Sequence, residues 1–144
     1  MVRPRSGAGI ELVGRLVAGV GIASALTGTA AWLTVRSQLA AERIQIPAAA
    51  RWLPGQRVTG PVTAMAQADA IRRTAAAATG GRTYGELPED DPLAELALNA
   101  SLLRASLFTS VLAFGVAAAQ MGIGAVLVVI GAALTSAGRR LPVG

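Results

Sequence analysis

Charge is missing from two long stretches of the chain. Residues 16–35 lie between Arg15 and Arg36, and residues 105–138 between Arg104 and Arg139, with no Asp, Glu, Lys or Arg in either. At 1.5 Å of rise per residue, the 20 residues of the first run make a helix about 30 Å long, the thickness of a bilayer's hydrocarbon core. Trp32 falls near one end, where an amphipathic ring favours the lipid–water boundary. The second run holds 34 residues, too many for one straight span and too few for two spans with a turn. It reads as one helix centred on Gln120, in the membrane from about 107 to 134, with tilt or a frayed end absorbing the excess. Ala23-Ser24-Ala25 has the small-x-small pattern of a signal-cleavage site. Cleavage there would leave a very short apolar region, so an uncleaved anchor is the better reading.

The segment between the runs alternates helical stretches with breakers. Residues 37–46 continue the first helix as far as Pro47. Pro47, Pro54-Gly55 and Gly60-Pro61 then punctuate an irregular stretch. Thr59 and Pro61 resemble a helix start, and the Ala-rich run 62–79 favours helix until Gly80-Gly81 ends it. Asp91-Pro92 marks a second start, with Glu89, Asp90, Asp91 and Glu95 placed where a helix dipole stabilises negative charge. No breaker interrupts the chain beyond it, which predicts one continuous helix over 92–134. The expected fold is therefore an all-α membrane protein. Two antiparallel transmembrane helices, 16–35 and 105–134, bracket a mostly helical insertion, 36–104, with short tails at 1–15 and 135–144.

Charge orients this arrangement. The N-terminal tail carries Arg3, Arg5 and Arg15 against Glu11, and the C-terminal tail carries Arg139 and Arg140. The insertion has eight Arg and seven acids, and at about 69 residues it is long enough to translocate despite its charge. The positive-inside rule thus favours both termini in the cytoplasm of a plasma membrane, with 36–104 outside.

Composition narrows the chemistry. Hydrophobic residues make up 53% of the chain but aromatics only 3%, leaving Ala, Leu, Val and Gly to form the apolar content. Such usage suits helices packed closely in lipid. Cys and His are absent, which removes disulfides, thiolate ligands and the commonest general base and metal ligand. All 13 basic residues are Arg, scattered along the chain with few aromatics to stack bases, so nucleic-acid binding is not expected despite the net charge of +5. The acids at 89–95 are read as helix-start charge instead of a cation site, Gly80-Gly81 as a helix end instead of a phosphate loop, and Tyr84 as a packing residue. No catalytic residue, cofactor site or metal site is expected.

Within the apolar runs, Gly21, Ser24, Ala25, Gly28 and Thr29 fall on one helical face, and Ala113, Ala117, Gln120 and Gly124 on another. Small residues let membrane helices approach closely. An antiparallel hairpin would bring Ser24 and Ala25 level with Gln120, whose amide needs a partner such as Ser24 or Thr27. Contact within the chain or between copies is the expected use of these faces, since two helices cannot enclose a pore and no charge marks an ion route.

Four blocks, SQLAAE at 37–42, AQAD at 66–69, TGGRTY at 79–84 and above all NASLLRASLFTS at 99–110, resemble a family of small actinobacterial membrane proteins. The resemblance covers about residues 16–134 and implies the two-span arrangement. Members carry the label "aromatic ring-opening dioxygenase". Such enzymes hold iron through His and carboxylates, and this chain has no His or Cys, so the activity is not carried over. The matching polar residues Gln67, Asp69, Tyr84, Asn99 and Arg104 become candidates for a shared contact surface.

The leading expectation is a non-catalytic accessory or scaffold component of the cell envelope, with the bilayer and a protein partner or second copy as its contacts. One alternative is an enzyme whose site uses Asp69, Tyr84, Glu86 or Asp91. The other is an outer-leaflet binder of lipid or small molecules using Trp32, Trp52 and nearby Arg residues.

Overall fold

The computed structural model describes residues 7–140. The outermost parts of the expected tails, 1–6 with Arg3 and Arg5, and 141–144, lie outside the described residues. Three α-helices account for most of the rest: α1, Gly7–Ala41; α2, Pro61–Thr79; and α3, Ala94–Arg140. A short 3-10 turn, Tyr84–Glu86, joins α2 to α3. Among the described residues there is no β-strand, only an isolated antiparallel bridge between Gln45 and Arg57.

α1 and α3 run past the ends assigned from charge. Residues 7–15 and 135–140 are helical. Arg15 continues the helix and offers its guanidinium to Glu11 one turn back, at 2.6 Å. At the other end, α1 stops at Ala41 and does not continue to 46. Arg43 takes the left-handed conformation, φ 52°, and the chain turns away. It enters a tight hairpin-like turn, closed by backbone bonds from Ile46 N–H to the Gln56 carbonyl and from Val58 N–H to the Ile44 carbonyl, 2.9 and 3.0 Å.

α2 starts and stops as its sequence dictates, with one difference in the cap. Gly60, not Thr59, is the capping residue. The hydroxyl of Thr63 reaches back to accept the N–H groups of Thr59 and Gly60, both at 3.1 Å. At the far end Gly80 adopts φ 64° and Gly81 φ 87°, and the Gly81 N–H closes on the Ala76 carbonyl at 2.8 Å. Ahead of α3, the Asp91 carboxylate accepts the Leu93 N–H at 2.9 Å in a turn, and the helix begins at Ala94, two residues later than Pro92.

The chain divides into two compact units, Met1–Trp32 with Val116–Gly144, and Leu33–Gly115. In the second, Phe114, Ile46 and Val58 are the largest fully buried side chains, each worth about 1.5–3 kcal/mol on burial. α2 buries Ala64 and Ala68 on one face and Ala66 and Ala70 on nearly the opposite one. A helix covered on both sides needs small residues, which is why this one is built of Ala. Leu107 and Phe114 are buried in this unit.

Candidate functional site

Within Met1–Trp32 and Val116–Gly144, α1 and α3 meet along a seam of glycines spaced by seven. Gly14, Gly21 and Gly28 are buried on α1, and Ala117, Gly124, Gly131 and Gly138 on α3. A Cβ placed on Gly21 would lie 2.7 Å from the Gly124 carbonyl oxygen, and one on Gly124 2.6 Å from that of Gly21. Gly14 meets Gly131, Gly28 meets Ala117 and Gly138 meets Gly7 in the same way, each at 2.8 Å or less. Each step of seven forward on α1 is thus a step of seven back on α3. A period of 3.5 residues per turn keeps such a stripe on a partner that wraps left-handedly. Gly19 and Gly122, off the stripe, have nothing within 4 Å of a built Cβ.

Of the expected packing faces, Gly21, Ala25, Gly28, Ala117 and Gly124 lie in this seam. Ser24 joins it by donating a hydrogen bond to the Gln120 backbone carbonyl at 3.4 Å. The Gln120 amide pairs with neither Ser24 nor Thr27, since the Thr27 hydroxyl turns back to the Ala23 carbonyl of its own helix at 2.9 Å. Thr29 is exposed and does the same with Ala25. Ala113 is half-buried in the other unit. Gly14, Gly131 and Gly138 extend the seam beyond the faces expected from sequence; the seven-residue repeat is the signal that marks them. Near the helix ends Arg139 reaches Glu11 at 3.2 Å, so one carboxylate ties α1 to α3 across 128 residues of sequence.

In Leu33–Gly115 the five candidate contact residues distribute over four cavities. Asn99 lines one of 550 Å³ with Ile71, Thr74 and Leu96. Gln67 lines another with Gln38, Glu42 and Ser106, and its buried carbonyl oxygen has no hydrogen-bond partner. Asp69 borders a third with Arg51, Trp52 and Arg73. Only Tyr84 and Arg104 share a cavity, the fourth, of 290 Å³, where Arg72 and Arg82 join them. Sequence alone singles out neither of those two arginines, because α2, the loop after it and α3 bring them together only in the fold. Arg104 stacks over Phe108 at 5.8 Å, and its buried Nε has no hydrogen-bond partner.

The acids considered for chemistry are each occupied locally. Asp69 accepts hydrogen bonds from Arg72 and Arg73 at 2.8 and 2.7 Å, which hold its carboxyl below the usual range. Glu86 accepts the backbone N–H and the hydroxyl of Thr83, and these likewise lower its pKa. Asp91 accepts the Leu93 N–H in the turn before α3 and faces Arg82 at 3.6 Å. Tyr84 and Asp69 border different cavities. Among the described residues no cluster of three or more His, Cys, Asp or Glu could hold a metal ion. No family model matches the chain, and no curated protein or solved structure matches it either.

Proposed function

We propose that the chain is a two-span integral membrane protein of the plasma membrane that acts without catalysis, as an accessory or scaffold component of the cell envelope. In this reading both termini lie in the cytoplasm and the segment 36–104 lies outside.

One observation carries the membrane reading. α1 and α3 are long and apolar enough to cross a bilayer, yet only 11% and 17% of their most apolar stretches are buried. The seam is made of glycine and alanine, while the large side chains point outward: Leu26 is 65% exposed, Leu112 70% and Val129 68%. A water-soluble protein does the reverse, burying its large apolar residues and exposing small or polar ones. Lipid reverses the preference, because tails solvate Leu and Val while close backbone approach needs small residues. The accessory role rests on the same exposed surface and on the local occupation of Asp69, Glu86 and Asp91 by caps and ion pairs.

Alkaline carbonate washing of native membranes tests the reading. The protein is expected to stay in the pellet and to leave it only in detergent; recovery in the wash contradicts a spanning arrangement. Reporter fusions after Gly81 and after Gly144 are expected to report outside and inside respectively. Gentle extraction followed by mass determination tests the accessory role, and a strictly monomeric particle without partners contradicts it.

A further inference from the structure

We infer that Leu33–Gly115 carries a binding site for a phosphate group in the cavity lined by Arg72, Arg82 and Arg104. Three arginines line this cavity, and no Asp or Glu is among its lining residues. The carboxylates that pair with Arg72 and Arg82, Asp69 and Asp91, are not part of its lining. With Asp69 shared between Arg72 and Arg73, and Arg104 paired with no carboxylate among the described residues, positive charge around the cavity exceeds negative, and such an excess concentrates anions.

The donors are also available. Each guanidinium carries five N–H groups. Arg72 gives one amino group to Asp69, and Arg82 gives its Nε to the Thr79 carbonyl at 3.2 Å and a looser contact to Asp91. Among the described residues Arg104 has no carboxylate within 4.0 Å. Tyr84 and Ser101, both hydroxyl-bearing, are among the same lining residues. Arginines supplied by α2, the loop after Gly81 and α3 offer several N–H donors to one space, enough for a tetrahedral anion with three or four oxygens. At 290 Å³ the cavity is at the small end for ligand sites, enough for a phosphate with a small organic attachment.

Arg104 is also the last charged residue before the 34-residue uncharged run. If that run enters the bilayer, the cavity sits near the depth of lipid headgroups, so the phosphate could belong to an anionic lipid or to a soluble phosphate compound. The site itself rests on the cavity and its charges; the membrane reading decides only between these sources.

The test uses the full chain purified in a non-ionic detergent. Retained lipid is read by native mass spectrometry, nanodiscs of phosphatidylglycerol are compared with phosphatidylcholine, and inorganic phosphate is titrated separately. Arg104→Gln and Arg82→Gln are each expected to weaken binding about tenfold, the loss of one charge-assisted hydrogen bond. Arg104→Lys is expected to fall between, and Arg57→Gln, exposed and outside the four cavities, to bind as the wild type does. Preference for phosphatidylglycerol with this residue dependence supports the site with a lipid occupant. The same dependence with inorganic phosphate alone supports it with a soluble one. No binding of either probe, or equal binding by all variants, or equal loss in Arg57→Gln, overturns the proposal. Circular dichroism checks folding, and Arg82, on a loop, supplies the readout should Arg104→Gln not fold.

Discussion

Gly21 and Gly124 face each other so closely that neither could carry a side chain: a Cβ on either would come within 2.7 Å of the other's carbonyl oxygen. This mutual exclusion recurs at each seven-residue step of the seam. It explains why the two longest helices can pack with almost no bulk between them.

The first prediction compares two glycines on α3. Gly124→Val places its branched side chain against the backbone of Gly21 and Ala25, and neither helix can yield without parting. A loss of at least about 1–3 kcal/mol is expected, as for overpacking elsewhere, with a matching fall in the thermal midpoint in detergent. Gly122→Val, with nothing within 4 Å of its Cβ, is expected to leave the midpoint unchanged. Equal effects would show that the seam does not hold the helices together.

Ser24 offers a smaller effect. Its hydroxyl bonds the Gln120 carbonyl at 3.4 Å, a long bond to an oxygen inside α3. Ser24→Ala is expected to cost about 0.6 kcal/mol and no more than about 1.7, the range for interhelical hydrogen bonds in membranes. Chemical denaturation in mixed micelles measures it. A larger loss would mean the hydroxyl does more than this contact.

Asp69 gives a pH signature. Hydrogen bonds from Arg72 and Arg73 lower its folded pKa, so the folded chain binds a proton here less readily than the unfolded one. Its contribution is therefore fully present above the ordinary carboxylate value and is lost as pH falls through the lowered one. Asp69→Asn is expected to melt below the wild type at neutral pH, with the gap closing as the pH drops below the usual carboxylate range. A gap independent of pH would place the effect elsewhere than in the ionised carboxylate.

Much of the fold is legible in local signals. Gly80-Gly81 ends α2 because left-handed residues suit glycine, Asp91 forms the turn that leads into α3 by accepting the Leu93 N–H, and the uncharged runs lie within long helices. The features that sequence hides are tertiary in origin. Gly14 and Gly138 lie at the ends of a seam that continues past Arg15 and up to Arg139, and ending a helix at its first charge conceals them. Lack of charge marks residues 105–115 as apolar, but which of them face protein, as Leu107 and Phe114 do, and which stay exposed, as Leu112 does, is set by tertiary packing. Hydropathy cannot distinguish the two. The turn from Ile44 to Val58 is held by backbone bonds between residues about a dozen apart, for which side-chain periodicity leaves no trace. Of the candidate sites, the seam is half visible in sequence, at Gly21, Ser24, Ala25, Gly28, Ala117 and Gly124. The arginine cavity is visible only at Tyr84 and Arg104.

The central claim is that α1 and α3 of one chain pair through this seam, and cysteine crosslinking in native membranes tests it most directly, since the chain has no cysteine of its own. Ser24→Cys combined with Gln120→Cys is expected to oxidise rapidly to an intrachain disulfide. Ser24→Cys with Ile123→Cys, whose side chain is 59% exposed on the outer face of α3, is expected to stay reduced. Crosslinks that form only between chains, or equally with Ile123→Cys, would contradict the pairing.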